Sequence, residues 1–204
     1  KAAVRDMTNY AQVEKFFHGD TETDKFGREF FLQLHKGNKN PHLFKREYRP
    51  GREQKVFLPD NSSVDTDYAL VDLSELIPSH TEGFQKNDLF PEELQPRGRD
   101  RKAMRLQVEQ MAQKLNPERL MESNTAGAGA PIVGPDFVVE SGNGRVLALT
   151  KAYNSKMGKE YKYQLGKQAE KFGFAPDDVS KLKRPVLVRV RKSDVDRVEF
   201  VIRA

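Results

Sequence analysis

"PIVGPDFVVESGNGRVLAL", residues 131–149, holds two short apolar runs, a Gly-Pro-Asp step between them, and two glycines that lead through Arg145 into a further apolar run. The pattern predicts strands over 131–133 and 137–140, joined at "GPD", whose residues favour a hairpin turn. A glycine turn follows, and a helix is expected over 146–153. The order strand, glycine turn, helix frames the rest of the chain. Gly142 and Gly144 deliver backbone N–H groups, unblocked by side chains, to the positive end of a helix dipole, which is an anion site by construction. Arg145 sits in the first turn, where its planar fork can reach a phosphate. The competing reading is a turn that uses glycine for conformation alone.

Upstream, residues 4–17 carry Met7, Tyr10, Val13 and Phe17 at helical spacing. Strand-like runs are expected over 30–35 and 43–48, separated by the loop "KGNKNP", with a short strand at 55–58. The character changes at "YALVDLSEL", residues 68–76, an apolar strand with a polar exit. Residues 77–100 are irregular and too long for an idle connection, so they either bind something or pack as an ordered loop. A helix is expected over 101–115 with Met104, Val108, Met111 and Leu115 on its core face. Beyond the glycine turn, helices are expected over 156–172 and after "FGFAPDD". "RPVLVRVRK" reads as a strand with Val186, Val188 and Val190 alternating, and "SDVDRVEFVIRA" as a capped helix start. The expected division is an extension over 1–66 and a domain over 67–204, together a piece of a longer protein.

The chain has 204 residues, 37% hydrophobic and 32% charged, long enough for one domain with a sizeable core. Its mean hydropathy of −0.75 and the lack of any apolar run near the roughly 18 residues of a membrane span predict a chain without a membrane partner, located in the cytoplasm. With no cysteine, disulfides, thiolate catalysis and cysteine-ligated zinc are excluded. The four histidines, His18, His35, His42 and His80, show no metal-binding spacing, and only His80 lies on a loop of interest. The net charge of +5 is concentrated in 97–105, 151–171 and 181–192. Those stretches predict a polyanion partner, DNA included, if they fold onto one face; otherwise they solvate helix surfaces.

Neither common nucleotide cradle is present. A dinucleotide fingerprint needs a third glycine where Leu147 stands, and no Gly-Lys-Ser/Thr tripeptide occurs anywhere in the chain. The turn does, however, resemble the second signature box of the ParB/sulfiredoxin-like superfamily, in which a strand ends in G-x-x-R-x-x-A. Here that motif is Gly142, Asn143, Gly144, Arg145, Val146, Leu147 and Ala148. "QPR" at 95–97 with the helix "LQVEQMAQKL" resembles the first box, and "RPVLVRV" the closing strand. "LQPRGRDR", "NPERL", "APIVGPD" and "VESGNGRVLAL" in this order are similar to the DdrB-like ParB domains of large phage and mobile-element proteins.

The resemblance covers about 68–204 and implies an α+β domain, a small mixed sheet with flanking helices, behind an N-terminal helix and β-rich extension. It implies a nucleotide- or nucleic-acid-phosphate-binding module acting near DNA within a longer polypeptide. The implied ligand is a nucleoside triphosphate, ATP or CTP, with magnesium. The implied contacts are Ser141, Gly142, Asn143, Gly144 and Arg145, with Arg97 and Arg99 either as second phosphate contacts or as solvated loop charges. Asn143 stands where sulfiredoxins keep cysteine and chromosome-segregation ParB proteins usually keep glutamate. An amide can hydrogen-bond a phosphate but cannot be a nucleophile or general base, so sulfiredoxin chemistry is excluded. The alternatives are a nucleotide hydrolase or nuclease, and a non-catalytic docking domain. Hydrolysis needs a carboxylate, and Glu140 is the local candidate, either aimed at the ligand to hold magnesium through water or exposed at the strand end. Asp136 is the other nearby acid. The glycines of "TAGAGAP", 125–131, bring amides to a base or sugar or else simply confer flexibility.

Overall fold

In a computed structural model, residues 46–94 and 101–204, with Thr21, are described. The helix expected over 4–17, the strand over 30–35, the first half of that over 43–48, and Arg97 and Arg99 lie outside them; residues 46–48 are described and form no strand. Among the described residues five strands form one mixed sheet: β1 (Glu53–Phe57), β2 (Ser63–Asp72), β3 (Ile132–Val133), β4 (Val139–Ser141) and β5 (Pro185–Arg191), in the order β1-β2-β5-β3-β4. Only β5 and β3 pair in parallel; β1 with β2, β2 with β5, and β3 with β4 are antiparallel. The α+β class expected from the sequence is the class observed.

The strand expected at 55–58 is β1 and belongs to this sheet, and the strand after it starts earlier than expected. β2 begins at Ser63 rather than residue 68, with Val64 and Thr66 buried and Ser63 and Asp65 exposed, the alternation of a half-covered strand. A boundary between 66 and 67 therefore falls inside β2, and β1 pairs with it from Phe57 opposite Ser63 to Glu53 opposite Asp67. β5 is the central strand, and all seven of its residues are buried. Its Val-Arg alternation suggests one wet face, yet Arg189 and Arg191 point into protein, because neighbours cover both sides of a central strand.

Five helices among the described residues flank the sheet: α1 (Arg101–Gln113), α2 (Asn143–Ala152), α3 (Lys156–Gln168), α4 (Pro176–Lys181) and α5 (Arg197–Arg203). The stretch expected as one helix over 156–172 is α3 followed by a tighter turn, Ala169–Phe172, which Gly173 closes at φ 87. In α1, Met104, Val108 and Ala112 lie one turn apart and pack against Phe84, Leu147 and Ala148, linking α1 to α2. Each such buried aliphatic side chain contributes about 1.5–3 kcal/mol, less the entropy of ordering it. The irregular stretch is ordered over 77–94: Ile77, Phe90 and Leu94 pack with Val138, so this connection covers the outer side of the hairpin. None of the described helices is long and apolar enough to cross a membrane.

Candidate functional site

The hairpin forms at "GPD" as expected: the Phe137 N–H donates to Gly134 O, and Ile132 and Val133 pair with Ser141 and Val139. β4 then runs into Gly142, which adopts φ 96 and serves as the residue before α2 without any side-chain cap. That left-handed conformation, which glycine adopts without strain, starts the helix at Asn143, three residues ahead of the expected 146. The Val146 N–H is the first to reach a carbonyl four residues back, Gly142 O at 3.1 Å. The amides of Asn143, Gly144 and Arg145 are the unmatched donors of a helix start. Residues 142–144 are half-buried.

The side chains around the turn hold it in shape. Asn143 accepts from the Ser79 N–H at 2.6 Å and donates to Val139 O at 3.1 Å, tying the loop after β2 to the start of β4. The Ser141 hydroxyl donates to Ala126 O at 3.1 Å. Arg145 is 8% exposed and turns inward, donating to Gly129 O at 2.6 Å and Ala126 O at 3.1 Å. It is therefore not extended toward solvent as the first-turn position suggests. A Cβ on Gly142 would sit 2.7 Å from the Arg145 guanidinium, so the glycine also makes room for that inward path.

Arg189, wholly buried on β5, completes the same arrangement. It donates to Ser123 O, Thr125 O, Ala128 O and Ala130 O. Together the two arginines engage nearly every carbonyl of the "TAGAGAP" loop, which is thus held by its main chain rather than left flexible. Neither arginine meets a carboxylate among the described residues. Burial lowers Arg145 to about 10, and burial followed by the repulsion of Arg145 lowers Arg189 to about 10, so both remain cationic at neutral pH.

Glu140 is 3% exposed, which replaces the picture of an exposed strand terminus. Its Oε2 accepts from Arg191 Nε at 2.7 Å, and its Oε1 from Arg191 Nη2 at 3.1 Å, with Arg197 Nε 2.9 Å away. Arg197 in turn clasps both oxygens of Asp136 at 2.8 Å. Burial pulls Arg197 down, but Asp136 and Glu140 together hold it above its ordinary value. Both oxygens are thus turned to arginines inside the protein, and neither is presented to a ligand at the turn. Sequence reasoning missed Arg189, Arg191 and Arg197 as structural centres because each looked like surface charge. His80 Nδ1 lies 2.9 Å from the Ser79 hydroxyl, beside the Asn143 contact. Among the described residues no three His, Asp or Glu side chains converge in a way that could hold a metal ion.

The profile of the ddrB-like ParB superfamily domain matches residues 59–192. The chain belongs to this family. No curated protein and no solved structure matches it. The ddrB-like ParB match begins between β1 and β2 and ends just past β5, so it takes in the turn, both arginines on β5 and the four helices α1 to α4. β1 and α5 fall outside it yet complete the fold, β1 by pairing with β2 and α5 by supplying Arg197.

Proposed function

We propose that this ddrB-like ParB domain binds phosphate groups, of a nucleoside triphosphate such as ATP or CTP with magnesium or of nucleic acid, at the start of α2, within a longer phage or mobile-element protein that acts on DNA. The observation that carries this reading is the half-buried glycine turn: Gly142 at φ 96, with no side-chain cap, opens a ten-residue helix whose first amides are unmatched. The contacts to phosphate come from the main chain of Gly142, Asn143 and Gly144. Arg145 and Ser141 act from behind, fixing the loop next to the turn, and Asn143 fixes the turn itself. Arg97 and Arg99, which precede α1, are the cations available to a bound phosphate in this reading. The hydrolase or nuclease alternative draws no support from Glu140, whose oxygens are engaged by Arg191 and Arg197.

The test substitutes Gly144. A Cβ there meets only Val108 Cγ2 at 4.0 Å, so Gly144→Ala and Gly144→Asp are both accommodated. A carboxylate in the first turn stabilises the helix and repels phosphate at the same place. Calorimetric titration with magnesium and ATP, CTP or GTP is expected to show binding to the wild type and to Gly144→Ala, and at least a tenfold loss, about 1.4 kcal/mol, for Gly144→Asp. Equal affinity in Gly144→Asp rules out this site. Arg145→Ala is the less useful variant, because it removes contacts that the loop depends on.

A further inference from the structure

The three basic stretches of the sequence meet different fates. Residues 97–100 lie outside the described structure, and Arg189 and Arg191 are buried. Among the described residues α3 and the segment after it collect the surface cations that outnumber their acids. Between residues 156 and 184 eight lysines and arginines face four acids, which accounts for most of the chain's net charge of +5.

Elsewhere, exposed cations commonly have partners: Arg52 meets Glu122, Lys86 meets Glu92, Lys192 meets Glu53 and Asp67, and Arg203 meets Asp60 and Glu199. The outer face of α3 differs. Tyr161, Leu165 and Ala169 face the core, while Lys156, Lys159, Tyr163 and Lys167 form a stripe on the opposite side at spacings of three and four. Among the described residues none of those three lysines meets a carboxylate. Glu160, which follows Lys159 in the chain, is engaged by Gln164 at 2.8 Å. Tyr163 is 59% exposed, and Lys167 Nζ lies 5.1 Å from its ring centroid.

We propose that this face of α3 binds single-stranded nucleic acid, with the lysines on successive phosphates and the Tyr163 ring stacked on a base. The proposal uses no residue of the glycine turn and goes beyond the phosphate reading. Lysines alone would suit any polyanion; an exposed aromatic ring set among them is useful only to a strand whose bases are free to stack. A membrane surface fits poorly, because the apolar side chains of α3 are spent on the core and leave no apolar face to enter lipid.

The test is fluorescence polarisation of the full chain with a labelled oligothymidine of about 16 nucleotides, against a duplex of the same length and vesicles of phosphatidylserine and phosphatidylcholine. The oligothymidine is expected to bind best, with a log–log salt slope of about −2 for three phosphate contacts. Tyr163→Ala is expected to weaken it about tenfold, Tyr163→Phe to restore most of that loss, and Lys159→Glu with Lys167→Glu to weaken it further and flatten the slope. Circular dichroism checks that these surface variants stay folded. Failure of the oligothymidine to bind at low salt overturns the proposal, as does an unchanged Tyr163→Ala or equal binding of vesicles. Gly144→Asp separates the two sites. If it removes oligothymidine binding while the α3 variants do not, the strand is held at the glycine turn and not on α3.

Discussion

Two pairs of arginines, three of the four side chains buried and Arg197 half-buried, flank the β3–β4 hairpin and solve the same electrostatic problem differently. Arg145 and Arg189 spend their donors on neutral carbonyls of one loop, whereas Arg191 and Arg197 meet the carboxylates of Glu140 and Asp136. Arg189 and Arg191 are two residues apart on the same strand, so position along the sheet does not explain the contrast; what faces them does. The carbonyl-held pair is depressed to about 10 by burial, while Arg197 is raised by its acids. Charge compensation makes the second pair a lock within the core, and its absence makes the first a device for shaping a surface loop.

The largest expected effect breaks the lock. Glu140→Gln leaves Arg191 and Arg197 with a single carboxylate between them, and urea unfolding followed by circular dichroism should show a loss of about 3–5 kcal/mol. Arg189→Met should cost less, about 2–3 kcal/mol, because the released carbonyls lie in a loop that water can reach. Its signature is local: amide hydrogen exchange should rise over 123–130 in Arg189→Met and stay protected there in Glu140→Gln. Uniform acceleration in both variants would erase the distinction between loop shaping and core locking.

Each pair also abuts a glycine. A Cβ on Gly142 would stand 2.7 Å from the Arg145 guanidinium in a left-handed backbone, and one on Gly134 would stand 2.6 Å from Glu140 Oε1. Gly142→Ala combines both penalties and should cost about 1–3 kcal/mol. Gly134→Ala meets only side-chain ends, without the left-handed strain, and should cost less; the reverse ranking by thermal melting would show that the lock is the stiffer of the two.

The smallest effect lies in alkaline solution. Tyr48 is pushed up to about 12 by burial and then Asp67, and burial raises Tyr153 and Tyr161 as well. Their folded pKa values exceed the unfolded value, so their stabilisation is complete below about pH 10 and is lost as the pH rises through the folded values. The depressed arginines act oppositely, since the penalty of keeping them charged fades above pH 10. The melting midpoint should fall above pH 10, more steeply in Arg189→Met than in the wild type.

Much of the frame was legible in the residues. "GPD" marked the hairpin, helical spacing marked α1, and the valines of "RPVLVRV" marked β5. The start of α2 was missed because its first turn is opened by a left-handed glycine rather than by a capping Ser, Thr or Asp, and a sequence carries no direct sign of φ. The start of β2 was missed because "SSVDTD" reads as polar although Val64 and Thr66 are buried. At the candidate site the sequence named the residues of the turn but not the direction of their side chains. An arginine in a first helical turn, or between two valines, looks like a surface cation until the packing shows what covers it, and Glu140 looked available because the partner that closes over it, Arg197, comes 57 positions later.

In the loop over 123–130, held by its carbonyls, shape is written chiefly in Arg145 and Arg189, on other elements, with the Ser123 hydroxyl accepting from the Thr125 N–H as a local contribution, while the side chains of Asn124, Thr125 and Ala128 are exposed. Related proteins can therefore rewrite the outward residues of this loop, and with them whatever it meets, while inheriting its path unchanged.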